Sequence, residues 1–145
     1  MHATVRSVIE AASDAAEDVC ILDTEASPEH LSRGTAAYAD AMLIVVEPYY
    51  KSLETGRRMA LLGKDLGLGR VALVANKMRD ERDHAAVAEF AAANGLEVAA
   101  AIPFDERMPE AERAGVAPLD HAPDAAAVAA IGELARGMVS GDGRA

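Results

Sequence analysis

Four apolar runs punctuate the chain: residues 18–23 (DVCILD), 41–47 (AMLIVVE), 70–76 (RVALVAN) and 97–102 (EVAAAI). Each is short, and none alternates apolar with polar positions. That pattern predicts strands buried on both faces, as in a parallel sheet between helical layers. Around these runs the apolar period lengthens. Val5, Val8, Ile9, Ala12 and Ala16 fall on one face of a helix. Ser52 is placed to cap a second helix with Met59, Leu62 and Leu66 inward and Gly67 as its stop. Asp83 is placed to cap a third, with Val87, Phe90 and Ala91 inward and Gly95 at its end. Pro109 suits the first turn of a short helix ending near Gly115. Asp124 opens the last, with Val128, Ile131, Ala135 and Met138 in register.

Strand and helix in alternation predict an α/β fold, a parallel sheet with helices on both faces. The 145 residues fit one domain over 1–138 and a disordered tail over 139–145, where the sequence turns to SGDGRA. Composition narrows the function. A net charge of -10 with no Lys/Arg cluster argues against a nucleic-acid surface. No apolar run approaches the length of a membrane span. A single cysteine, Cys20, leaves no disulfide framework, and no signal peptide is visible, so a cytoplasmic protein is expected.

In sheets of this class, ligands bind beyond the carboxyl ends of the strands. The residues of interest are therefore Asp23, Glu47-Pro48, Asn76-Lys77 and Pro103-Phe104-Asp105. An aspartate ending an apolar strand either caps the next turn or orients magnesium through water. Glu25, Glu29 and His30 follow it, at spacings that match none of the usual zinc patterns. NKMRD resembles a guanine-reading motif, but its acid, Asp80, falls one residue late for that. Asn76 can still donate and accept at an adenine edge, or it is a polar strand end and nothing more. Pro103 and Phe104 are either an apolar plate for a base or a strand exit with a core phenylalanine. His2, His84 and His121 have solvated contexts and no assigned role, and Arg57-Arg58 reads as a solvated pair on a helix face.

Taken in order, these tips resemble the deviant-Walker P-loop ATPases, the group of the nitrogenase iron protein, MinD and ParA. DTEASPEHLSRGTA is most similar to the switch II segment of CooC-type carbon monoxide dehydrogenase maturation ATPases, D-x-E-A-G-x-E-H-x-x-R-G. IVVEP, NKM and IPFDE then follow in the expected order, and the resemblance runs from about His2 to Met138. It implies ATP and magnesium as cofactors, with Asp23 as the Walker B aspartate holding magnesium through water. It makes Glu25, Ser27, Glu29, His30 and Arg33 parts of a switch sensing the γ-phosphate. Asn76 would read adenine, with Lys77 beneath the loop. Pro103, Phe104 and Asp105 would close over the base, and Glu47 would end the neighbouring strand.

The resemblance further implies a homodimer and a metalloenzyme client such as carbon monoxide dehydrogenase, served by nickel insertion. No membrane partner follows from it: MinD-like positioning proteins carry a basic amphipathic C-terminal helix, whereas AAVAAIGELARGMV has only Arg136.

Two departures limit the carry-over. The family's switch glycine is Ser27 here, followed by Pro28, which pushes the backbone toward extended conformations. More important, a P-loop needs G-x-x-x-x-G-K-[ST], because its backbone N–H groups and lysine cradle the phosphates. The only Gly-Lys here is Gly63-Lys64, followed by Asp65. Nor is the subfamily's Cys-x-Cys pair present. The expectation is thus the C-terminal part of such an ATPase, a P-loop-like sandwich lacking its P-loop strand and not catalytic alone. The missing strand would leave a gap or an abnormal closure between Val19–Asp23 and Met42–Glu47. A MinD- or ParA-like fragment, or an interaction module that kept the fold without the nucleotide, are the alternatives.

Overall fold

The computed structural model describes residues 19–24 and 39–139. Three parallel strands form one sheet in the order β1 (Ala41–Val46), β2 (Arg70–Met78), β3 (Glu97–Pro103). β1 pairs with β2 from Ala41 against Arg70 to Val46 against Ala75. β2 pairs with β3 from Ala72 against Glu97 to Met78 against Pro103.

Successive side chains of β2 enter opposite layers. Leu73 and Ala75 join Ile44, Val46 and the helices α1 (Tyr50–Asp65) and α2 (Glu81–Asn94), through Leu53, Met59, Val87 and Ala91. Val74 faces the other way, with Ile102, toward Ala127 and Leu134 of α5 (Ala126–Val139). This double burial is why the run carries no polar alternation. Between β3 and α5 lie α3 (Arg107–Ala114) and the short α4 (Pro118–His121), which the apolar period did not predict although Pro118 marks its start. Among the described residues, no helix is long and apolar enough to cross a membrane.

The helix ends depart from expectation in an instructive way. Tyr49, not Ser52, precedes α1, and the Ser52 hydroxyl instead accepts the Glu47 N–H at 2.9 Å. Asp80, not Asp83, caps α2, its Oδ1 accepting the Arg82 and Asp83 N–H groups at 2.9 and 3.1 Å. Asp83 reaches back from the first turn, and its Oδ2 accepts the Arg79 N–H at 2.9 Å. Two acids therefore satisfy three orphan donors at the β2–α2 junction. Gly95 and Gly115 end their helices in the left-handed region, with φ of 61° and 65°. Arg57 and Arg58 are not a free solvated pair: both bind Glu54, and the Arg57 hydrogen bond holds that carboxyl down to about 2.

α1 lies unusually close to β1. A Cβ at Gly56 would stand 2.5 Å from Val46 Cγ1, so only glycine lets the helix backbone approach there.

The predicted strand at 18–23 is not formed over its described residues, 19–23. Val19–Thr24 adopts neither helix nor strand, and Val19, Ile21 and Leu22 are 66%, 86% and 41% exposed. Its apolar pattern suits a strand only where neighbours hydrogen-bond and cover it. Among the described residues, β1 pairs on one side only, and its other edge carries no ladder. The gap expected between 18–23 and β1 has no counterpart here, because the first of the two strands that would flank it is not formed among the described residues. The N-terminal helical pattern, the switch residues Glu25, Ser27, Glu29, His30 and Arg33, and the tail after Val139 lie outside the described residues.

Candidate functional site

The carboxyl ends of β1, β2 and β3 lie side by side, because all three strands run the same way in adjacent register. Glu47, Asn76, Lys77, Pro103, Phe104 and Asp105 thus share one edge of the sheet. Each tip is fixed locally.

At β1, Ser52 pins the Glu47 backbone while the Glu47 carboxylate reaches across to β2. Its Oε1 lies 2.7 Å from Lys77 Nζ. At β2, the register slips between Ala75 and Met78, and Lys77 takes φ 59°, the one positive φ outside glycine among the described residues. A left-handed lysine costs energy that the surrounding bonds must offset, a condition met most often at functional sites. The Asn76 Oδ1 accepts the Lys77 N–H at 3.0 Å and thereby supports that turn. One lone pair of Oδ1 and the amide NH2 group have no partner among the described residues, so Asn76 keeps both an acceptor and a donor.

At β3, the Phe104 N–H donates to the Met78 carbonyl at 2.8 Å, tying the third tip to the second. Phe104 is 37% exposed, so it is not a core residue, and its ring is available at the edge. Above it stands Arg79, whose guanidinium carbon is 4.7 Å from the ring centroid. Asp105 is committed elsewhere. It accepts the backbone N–H, Nε and NH2 of Arg107 at 3.0, 3.1 and 2.9 Å. Those hydrogen bonds hold its carboxyl below the usual aspartate range. Arg107 also reaches Asp124 at 3.2 Å, which closes the β3–α3 turn onto the start of α5.

Five of the expected residues thus stand on one edge with a pairing that explains each: Glu47 with Lys77, Asn76 with its own turn, Pro103 and Phe104 beside Met78. Asp105 shapes the loop. Asp23 is exposed in the segment that takes no part in the sheet. Among the described residues, no group of three His, Cys, Asp or Glu side chains could hold a metal ion. Sequence reasoning missed Arg79 and Arg107. The first carried a legible signal, a cation three residues after Asn76 and next to a helix cap; the second pairs within its own turn.

No family model matches the chain. It is 31% identical over 122 residues to the carbon monoxide dehydrogenase accessory protein CooC of Rhodospirillum rubrum, covering 84% of this chain and 46% of that protein. It is 40% identical over 99 residues to an uncharacterized ATP-binding protein of Methanocaldococcus jannaschii, covering 68% of this chain and 38% of that one. The chain therefore spans less than half the length of either relative. Among solved structures, the septum site-determining protein MinD of Pyrococcus horikoshii, complexed with Mg-ADP, superposes with a TM-score of 0.70. That match is 18% identical and covers 97% of this chain and 58% of that one, so it speaks to the fold. Over the stretch it shares with them, the chain is a relative of CooC and of ATP-binding proteins, and it has the fold of MinD.

Proposed function

We propose that this chain supplies the base-binding edge of an ATP-binding maturation ATPase, of the kind that supports nickel insertion into carbon monoxide dehydrogenase. The observation that carries the reading is Asn76: a donor and an acceptor, both without a described partner, at the carboxyl end of the central strand, on the same sheet edge as the exposed Phe104 ring. A purine edge presents the complementary pair, and the ring of Phe104 with Pro103 offers it an apolar face. Glu47 and Lys77 hold the neighbouring tips in register rather than meeting the base. The reading is also supported by the ATP-binding relatives and by the CooC relative's name.

The phosphate half of an ATP site does not fit. The G-x-x-x-x-G-K-[ST] sequence is absent from these residues, and Asp23 stands outside the sheet in an exposed segment. Asp23 would be the magnesium-organising carboxylate only if a neighbouring strand drew 18–23 into the sheet. No hydrolytic step is assigned to this chain alone. A homodimer and a metalloenzyme client are part of the same proposal.

The exposed Asp23 favours a second reading, an interaction module that keeps the fold without nucleotide chemistry. Adenosine and inosine titrations of the wild type and Asn76→Ala separate the two. A preference for adenosine that disappears in the variant supports the base-binding edge. Equal behaviour of both nucleosides and both proteins supports the module.

A further inference from the structure

The cation over Phe104 has no part in the family resemblance, and its surroundings are unusual. Arg79 precedes two acids in the sequence, Asp80 and Asp83, yet it forms no ion pair with a described residue. The reason lies in the helix cap. Asp80 is occupied by two backbone N–H groups of α2, and Asp83 by the backbone N–H of Arg79 itself. With the acids engaged, the guanidinium lies on the ring instead.

Both partners are anchored by their backbones: Phe104 through its N–H to Met78, Arg79 through its N–H to Asp83. What remains free to move is the long, exposed Arg79 side chain.

We infer that Arg79 and Phe104 are the two jaws of a purine clamp, which part from their mutual contact to admit a base. This rests on the base-binding reading of the same edge. At 4.7 Å the gap is too narrow for a ring. A purine between them needs two contacts of about 3.5 Å, an opening of about 7 Å that a change in Arg79 rotamer provides. The planar guanidinium then stacks on one face of the base and Phe104 on the other, while Asn76 meets its edge. A lysine would keep the charge and lose the plane. The ligand class is a purine nucleoside or nucleotide, held by its base, without a requirement for phosphate.

The test is an NMR titration of adenosine, followed on both ligand and protein signals, into the wild type, Arg79→Ala, Arg79→Lys and Asn76→Ala. The clamp predicts that Arg79→Ala raises the adenosine Kd by about fivefold or more, the scale of one lost stacking partner. Arg79→Lys should fall between, and the Phe104 ring protons should move upfield as adenosine saturates the wild type. Unchanged or tighter binding in Arg79→Ala overturns the clamp, because Arg79 then only competes with the base for the ring. Loss of the adenosine preference in Asn76→Ala together with unchanged binding in Arg79→Ala keeps the edge reading and removes the clamp. The reverse result keeps the clamp and removes Asn76 as the reader. If the wild type binds no adenosine, both fall.

Discussion

Lys77 Nζ lies 2.7 Å from Glu47 Oε1, so an ion pair joins the tips of β1 and β2 across the edge where a ligand is expected. The lysine also carries a backbone φ of 59°. These two features separate experimentally. Lys77→Ala removes the ion pair and keeps the strain; Lys77→Gly removes both. The exposed pair contributes at most about 1 kcal/mol. The left-handed backbone costs about as much in any residue with a Cβ. Lys77→Gly should therefore be more stable than Lys77→Ala by about 1 kcal/mol in urea unfolding, and equal midpoints would show that the turn is unstrained.

Gly56 tests how tightly α1 sits on β1. A methyl group there meets Val46 Cγ1 at 2.5 Å, a distance that forces the helix or the strand to move. Gly56→Ala should cost about 1–3 kcal/mol despite the gain in helix propensity. Adding Val46→Ala opens the space, so the double variant should lose less than the sum of the two single changes. Simple additivity would mean that the contact is not tight.

The Asp105–Arg107 pair gives a pH dependence with a definite sign. The arginine hydrogen bonds lower the carboxyl from its ordinary 3.8 in the folded state. A depressed acid contributes stability above its unfolded value, and the contribution fades as pH falls through the folded value. The stability difference between wild type and Asp105→Asn should thus be constant near neutrality and shrink below about pH 4. A difference that grows on acidification would contradict the pairing.

The free edge of β1 predicts association. Among the described residues its outer edge has no ladder, and Val45 is exposed along it. Such an edge templates pairing with another chain, and a lysine placed on it opposes this. Sedimentation velocity should show concentration-dependent self-association that Val45→Lys reduces. A monomer at all concentrations, unfolding cooperatively, would mean the edge is covered in solution.

Much of this was legible in the sequence because the central strand, β2, is buried on both faces, although β3 and one face of β1 are only partly buried. The runs around Leu43, Leu73 and Val98 name a parallel sheet, and Gly95 and Gly115 end their helices where expected. The run at 18–23 misled for a physical reason: its residues have the pattern of a strand but no described neighbour to pair with. Hydropathy reports what a segment would bury, not whether a partner is there. Caps were misplaced because Ser52 and Asp83 are good capping residues already engaged by Glu47 and Arg79. The tips Glu47, Asn76 and Phe104 were found by strand order alone. Arg79 was not, because a stacked arginine depends on how Asp80 and Asp83 are used, which no spacing rule records.

The proposed base-binding edge has no phosphate grip. Calorimetric titration of the chain with adenosine, and with ATP in the presence and absence of magnesium, tests this directly. Similar, low affinities are expected for all three, since Asn76, Phe104 and Arg79 would meet only the base and Asp23 lies outside the sheet. A micromolar affinity for ATP that depends on magnesium and is not shared by adenosine would contradict it.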